Sequence, residues 1–222
     1  MRDPSPRLRR ATFATAAAAI ALAGAVAADT GAQTPPAPTP TPNIADAPVA
    51  DNEELVATID VRAGSESFGT ITVRLHDKYA PLHVKNFVKL AASGFYDGTT
   101  FHRTSPESFV QGGDPLSRDS DRSNDGAGGP GYDQPLEIND KSFTRGAVGA
   151  ARMGARDNGS QFFICLKDHP EWDKNYSAIG HVIGGLEVAD RIAKAERKGE
   201  HPVDDFVMTV KVEKRKKQVK LY

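Results

Sequence analysis

From Leu55 onward, apolar side chains recur mostly at every second position, and this period of two limits the fold more than any other feature of the chain. Runs at 55–61 and 68–75, joined through Ala63-Gly64-Ser65-Glu66, predict a hairpin. Further strands are predicted at 96–103, around Leu136-Glu137-Ile138, and at 147–152, 161–166, 178–182 and 206–212. Only two stretches show helical spacing. Pro81 opens the first, which reaches Ser93 with Leu82, Phe87, Val88, Leu90 and Ala91 apolar and Gly94 placed to end it. Leu186, Val188, Ala189 and Ile192 mark the second, at 186–195. Residues 115–130 are rich in Asp, Ser, Arg and Gly, lack apolar periodicity, and are predicted to be a surface loop. Many short strands with two helices predict a mainly β fold, an antiparallel sheet closed on itself.

The 222 residues allow one domain with appendages. Residues 1–28 have the three parts of an export signal. Arg2, Arg7, Arg9 and Arg10 precede an uncharged alanine-rich stretch that ends in Ala25-Val26-Ala27, so cleavage is expected, with an uncleaved anchor as the alternative. Residues 29–53 form a Pro/Thr/Ala-rich linker that cannot bury a core and prefers extended conformations. The folded domain is expected at 54–214, followed by a basic tail at 215–222. Export to the periplasm or the outside follows from the front end. The net charge of −1 argues against a dedicated nucleic-acid binder. The single cysteine, Cys165, excludes an internal disulfide and a cysteine-rich metal cluster, and its apolar neighbours predict a buried side chain.

Two segments carry candidate chemistry. Phe101-His102-Arg103 is followed after seven residues by Gln111-Gly112-Gly113-Asp114; in an extended run, Phe101 and Arg103 share one face and His102 takes the other. After Asn158-Gly159-Ser160, the run Gln161-Phe162-Phe163-Ile164-Cys165 sets Gln161 and Phe163 on one face. A guanidinium, two amides and apolar rings suit a peptide: amides hold backbone, rings hold an apolar side chain, and the cation polarises a reacting group.

These motifs, with Pro106, Ile179-Gly180-His181-Val182-Ile183 and Gly185-Leu186-Glu187-Val188, closely resemble the cyclophilin family of peptidyl-prolyl cis/trans isomerases. The resemblance runs from about Leu55 to about Val212. It implies a closed barrel of roughly eight antiparallel strands with two capping helices, its site on the outer wall. It implies Arg103 as the catalytic group, with Gln111 holding Arg103 and the peptide backbone. Phe163 becomes the floor of a proline pocket, Gln161 its neighbouring amide, and Ala151-Arg152 the segment alongside the peptide. His102 is counted with the peptide-contacting residues, although alternation turns it away from Arg103 and rotation about a bond needs no base. Tyr176 stands where the family usually has a histidine. Ser108 and Phe109 stand where it usually has a phenylalanine and a methionine, so the pocket either relies on Phe109 alone or shifts its backbone. Without gaps, Trp172 falls on the leucine that walls the pocket and Glu171 on the cap; a one-residue deletion would make Trp172 the cap.

The implied reaction is rotation about Xaa-Pro bonds of exported, flexible polypeptides, in support of their folding. It requires no metal, nucleotide or other cofactor, and a monomer is expected. Two rivals stand beside it. One is the same fold serving as a binding module or chaperone, catalytically weakened at Ser108. The other is a hydrolase built on Ser160, His102 and an aspartate, although Gly159-Ser160 lacks the second glycine of a nucleophile elbow.

Overall fold

The computed structural model describes residues 44–217. The export segment, the proline-rich spacer up to Asn43 and the tail from Gln218 lie outside the described residues. No helix among the described residues is long and apolar enough to cross a membrane.

β1 (Glu53–Ala63) and β2 (Glu66–Leu75) form the expected hairpin, with Gly64 at φ 58° in its turn. Ile59 faces Ile71 and Ala57 faces Val73 across the pair, so one face of both strands enters the core. α1 (Pro81–Ala92) follows, with proline in its first turn and Gly94 at φ 71° just past its end. Its inward stripe is not the one predicted. Leu82 is exposed, and His83, Val84, Phe87, Val88, Leu90 and Ala91 are buried. His83 is drawn inside because Glu137 accepts from the Leu82 and His83 backbone N–H groups at 3.0 and 2.8 Å and meets the His83 ring at 2.6 Å. A carboxylate from a distant loop thus satisfies the orphan donors of the helix N-terminus.

The strand predicted at 96–103 contracts to β3 (Arg103–Ser105), which pairs with β4 (Phe109–Gly112). The loop predicted at 115–130 opens with a 3₁₀ turn at Pro115–Arg118. Residues 136–138 are not a strand; a two-residue strand, β5 (Asp133–Gln134), lies just before them. β6 (Ala147–Met153), β7 (Arg156–Cys165), β8 (Ala178–Gly184) and α2 (Leu186–Lys194) occur near their predicted places. A small hairpin, β9 (Arg197–Lys198) with β10 (His201–Pro202), precedes β11 (Phe206–Lys216). β11 outruns its predicted end: Lys214, Arg215 and Lys216 pair with β1, and buried Glu54 accepts from Arg215 at 2.9 Å and Arg74 at 2.5 Å.

The main sheet runs β11-β1-β2-β8-β6-β7-β4-β3, with β5 added beside β7, and every pairing is antiparallel. It curls into a half-barrel. Residues 98–101, just before β3, bond to β11: Gly98 donates to Met208, Met208 to Thr99, and Phe101 to Phe206. β7 divides two apolar clusters. Phe162 and Ile164 enter the main core with Ile59, Ile71, Phe87, Phe101 and Met208. Phe163 and Cys165 face the other way, into a smaller cluster with Phe143, Ala147, Ala151 and Ala178. Burial pushes the Cys165 thiol up to about 12, so this cysteine is packing rather than a nucleophile.

Candidate active site

The outward face of β7 supplies the floor of a cavity of about 150 Å³, lined by Arg103, Phe109, Gln111, Ala151, Arg152, Phe163, Trp172 and Tyr176. That is room for one side chain, well below the roughly 300–1,000 Å³ of a drug-sized site. Phe163 is 5% exposed and stacks on Phe143 at 5.8 Å between ring centres. Gly149 makes this stack fit, since a Cβ there would lie 2.4 Å from the Phe163 ring. Trp172 and Tyr176 stand edge-on to Phe163 at 5.2 and 5.5 Å and form the walls.

Trp172 is itself braced. His169 lies flat against it, ring centres 3.6 Å apart and 3° from parallel. The His169 Nδ1 meets Glu171 Oε1 at 2.8 Å, and its Nε2 meets the Ser108 hydroxyl at 3.1 Å. The hydrogen bond from His169 Nδ1 holds the Glu171 carboxyl below its usual range and turns it toward His169. Ser108 is therefore spent on the brace, and the ring beside the cavity comes from Phe109.

The opposite edge is polar. Arg103 Nε donates to Glu200 Oε2 at 2.7 Å, Nη1 donates to Gln111 Oε1 at 3.3 Å, and the guanidinium lies 5.0 Å from the centre of the Phe109 ring. Gln111 Nε2 donates to Gln161 Oε1 at 2.8 Å, and Gln161 Nε2 donates to the carbonyls of Gly126 and Gly128 at 2.9 and 2.8 Å. Those glycines are pinned by Asp114, fully buried, whose carboxylate accepts from the N–H groups of Leu116, Gly126 and Gly128. The line from Asp114 to Arg103 fixes the amide orientations as well as their positions.

Two predicted contact residues, His102 and Gln161, stand outside the cavity lining. His102 is 1% exposed, does not line the cavity, and its ring packs near Gly126 beneath the loop. The chain is not extended before Arg103: Phe101 turns into the main core, so Phe101 and Arg103 do not share a face. Burial pushes His102 down to about 4, against the opposing charge of Asp114, so the ring is neutral near pH 7. The hydrolase rival fails with it. The Ser160 hydroxyl is buried and donates to the Gly113 carbonyl at 2.8 Å, so it is not paired with a base. Gln161 is 3% exposed and sits behind Gln111 rather than in the cavity wall.

Comparison with known proteins decides the family. The family model described as "Cyclophilin type peptidyl-prolyl cis-trans isomerase/CLD" matches residues 58–214. The chain belongs to the cyclophilin family. It is 42% identical over 132 residues to a peptidyl-prolyl cis-trans isomerase of Synechococcus elongatus, covering 56% of this chain and 86% of that one. It is 37% identical over 132 residues to the corresponding Helicobacter pylori protein, covering 58% and 77%. A crystal structure of a cyclophilin-type isomerase from Cryptosporidium parvum superposes with a TM-score of 0.63 at 27% identity, covering 72% of this chain and 98% of that one. The same enzyme determined in the presence of the dipeptide Ala-Pro gives 0.60 at 26%, covering 70% and 98%.

Within this cyclophilin, periodicity points to Phe163 and Gln161, and the family resemblance to Gln111. Periodicity gives no sign of Glu200 or His169, or of Asp114 as an anchor. Glu200 lies 97 residues from the arginine it binds, and His169 lies 61 from Ser108, so no local pattern links either pair. Among the described residues no group of His, Cys, Asp and Glu side chains is placed to hold a metal ion. The site is thus an apolar notch with two arginines, Arg103 and Arg152, in its lining.

Proposed function

We propose that this cyclophilin rotates Xaa-Pro bonds in exposed, flexible segments of exported polypeptides and thereby assists their folding outside the cytosol. The observation that carries this reading is Arg103, held from two sides at the rim of an aromatic cavity sized for one ring. An Xaa-Pro bond turns slowly because rotation breaks amide resonance, with a barrier of about 18–20 kcal/mol. As the bond twists, the prolyl nitrogen leaves conjugation and gains a lone pair that a nearby guanidinium N–H stabilises more than it does the planar amide. Only that difference speeds the reaction, at about 1.4 kcal/mol for each factor of ten. Phe163, Phe109, Trp172 and Tyr176 grip the pyrrolidine ring, while Gln111 and the backbone at Ala151-Arg152 hold the flanking peptide still. The relative crystallised in the presence of Ala-Pro supports a proline-containing ligand.

Three further parts belong to the same reading. The half-barrel closes into a barrel of about eight strands through residues 98–101 on β11, a reading supported by their backbone bonds. The N-terminal signal sends the chain to the periplasm or the medium. The protein acts as a monomer on proline-containing chains, without a cofactor.

The test is cis/trans exchange of an Ala-Pro peptide, followed by NMR with the purified protein. Arg103→Ala is expected to lose about two to three powers of ten in exchange rate, the usual cost of removing a preorganised electrostatic donor. Undiminished turnover would overturn the assignment of Arg103. A wild-type protein that binds the peptide without speeding exchange would instead be a binding module. Cell fractionation, with the mass of the mature N-terminus, tests export.

A further inference from the structure

Of the groups that hold Arg103, only Glu200 comes from outside the strands that build the cavity. It occupies the second position of the two-residue loop between Lys198 and His201, and Gly199 before it has φ 65°, as a tight hairpin of this kind requires. The loop is fastened beside β3 without the Glu200 side chain: the Glu200 carbonyl accepts from the Thr104 N–H at 2.7 Å, and the His201 side-chain Nδ1 meets the His102 carbonyl at 3.0 Å. The Glu200 side chain is therefore not needed to hold the hairpin in place. Nor does its ion pair add much stability, since the Arg103 and Glu200 side chains are 43% and 50% exposed and such pairs are weak in water.

We propose that Glu200 is a positioning residue for Arg103, its carboxylate fixing which edge of the guanidinium faces the cavity. The inference rests on the isomerase reading above. A guanidinium is a planar fork whose donors point in fixed directions once two of them are held. Glu200 takes Nε, Gln111 takes one hydrogen of Nη1, and the Phe109 ring lies against the group, which leaves Nη2 without a hydrogen-bond partner among the described residues. Without Glu200, one amide contact at 3.3 Å would have to hold a flexible side chain, and the guanidinium would sample several orientations before the prolyl nitrogen arrives. Substrate affinity depends mainly on the aromatic floor and should barely respond.

The experiment measures kcat from NMR exchange and peptide Kd from titration in the full chain, for Glu200→Ala, Glu200→Gln, Arg103→Ala and the double variant. Glu200→Ala is expected to lower kcat about tenfold with Kd within about twofold. Glu200→Gln keeps an acceptor for Nε and should stay within about threefold of wild type. In the Arg103→Ala background, removal of Glu200 should cost nothing further, because the two act as one unit. The inference is overturned by a kcat for Glu200→Ala within twofold of wild type, by a Kd that weakens in step with kcat, or by an equal loss in the Arg103→Ala background. If Arg103→Ala itself keeps full turnover, the catalytic assignment of Arg103 fails first, so the two failures are told apart.

Discussion

The two halves of the cleft are held by different physics. The aromatic half, Phe109, Phe143, Phe163, Trp172 and Tyr176, is a packed cluster in which rings support one another by burial. The polar half is a single file of hydrogen bonds from Asp114 through Gln161 and Gln111 to Arg103, closed by Glu200 at the far end. Packing is non-directional and redundant, whereas a file of hydrogen bonds is directional and fails at any link. Damage to the first half should therefore lower stability and affinity together. Damage to the second should lower turnover more than either.

Phe163→Ala gives the largest expected effect on the aromatic side. It removes a ring that is 5% exposed and leaves a cavity, so chemical unfolding should show a loss of about 3–5 kcal/mol, with peptide binding weakened to the same degree or more. A stable protein that still bound peptide tightly would show that the floor is not where the proline sits.

Acid probes the ground behind the polar half. His102 falls from its ordinary 6.5 to about 4 on folding, so the fold favours the neutral ring. A depressed value contributes stability that is present above 6.5 and is lost as pH falls toward 4, about 3 kcal/mol in all from this one group. Because the ring packs near Gly126, which holds Gln161, and protonates in the folded protein only near 4, turnover of the folded protein should fall only as pH approaches 4. His83 has the opposite sign. Burial alone would depress it, but hydrogen bonds and charge from Asp157 and Glu137 outweigh that and raise it above 6.5. Its contribution is complete below 6.5 and is lost as pH rises through the raised value, without an effect on the cavity. Thermal melts from pH 4 to 9 should thus peak near 6.5, with the acid limb flattened in His102→Gln and the alkaline limb in His83→Gln.

Asp114→Asn loosens the anchor of the polar file. It removes one acceptor of the loop N–H groups, costs about 1–3 kcal/mol of stability, and should reduce kcat severalfold at nearly constant Kd. Equal losses in both would place the loop in substrate binding instead. The smallest effect belongs to the turn between β3 and β4, where Ser108 N–H donates to the Ser105 carbonyl and Glu107 takes φ 58°. Glycine suits that conformation, so Glu107→Gly should gain up to about 1 kcal/mol with turnover unchanged.

The same contrast explains what was legible before the structure. Alternation along 161–165 assigns Phe163 outward and Phe162 inward, because a strand buried on both faces still keeps its period of two. Alternation misled at Phe101-His102-Arg103, where residues 99–102 bend to reach β11 and the pattern no longer maps to faces. Leu82 misled for a related reason: apolar spacing cannot register that His83 gains two carboxylates, Glu137 at 2.6 Å and Asp157 at 3.0 Å, on entering the core. Glu200, His169 and Glu137 each act across more than fifty residues of chain, where only the folded topology brings the partners together.

Binding and rotation can be separated most directly in Arg103→Ala by NMR, recording peptide-induced shifts of Phe163 and Trp172 together with cis/trans exchange of the peptide. The shifts are expected to persist at an affinity close to wild type while exchange slows by about two to three powers of ten. Exchange at the wild-type rate, with the shifts intact, would mean that the cation at the rim is not what lowers the rotational barrier.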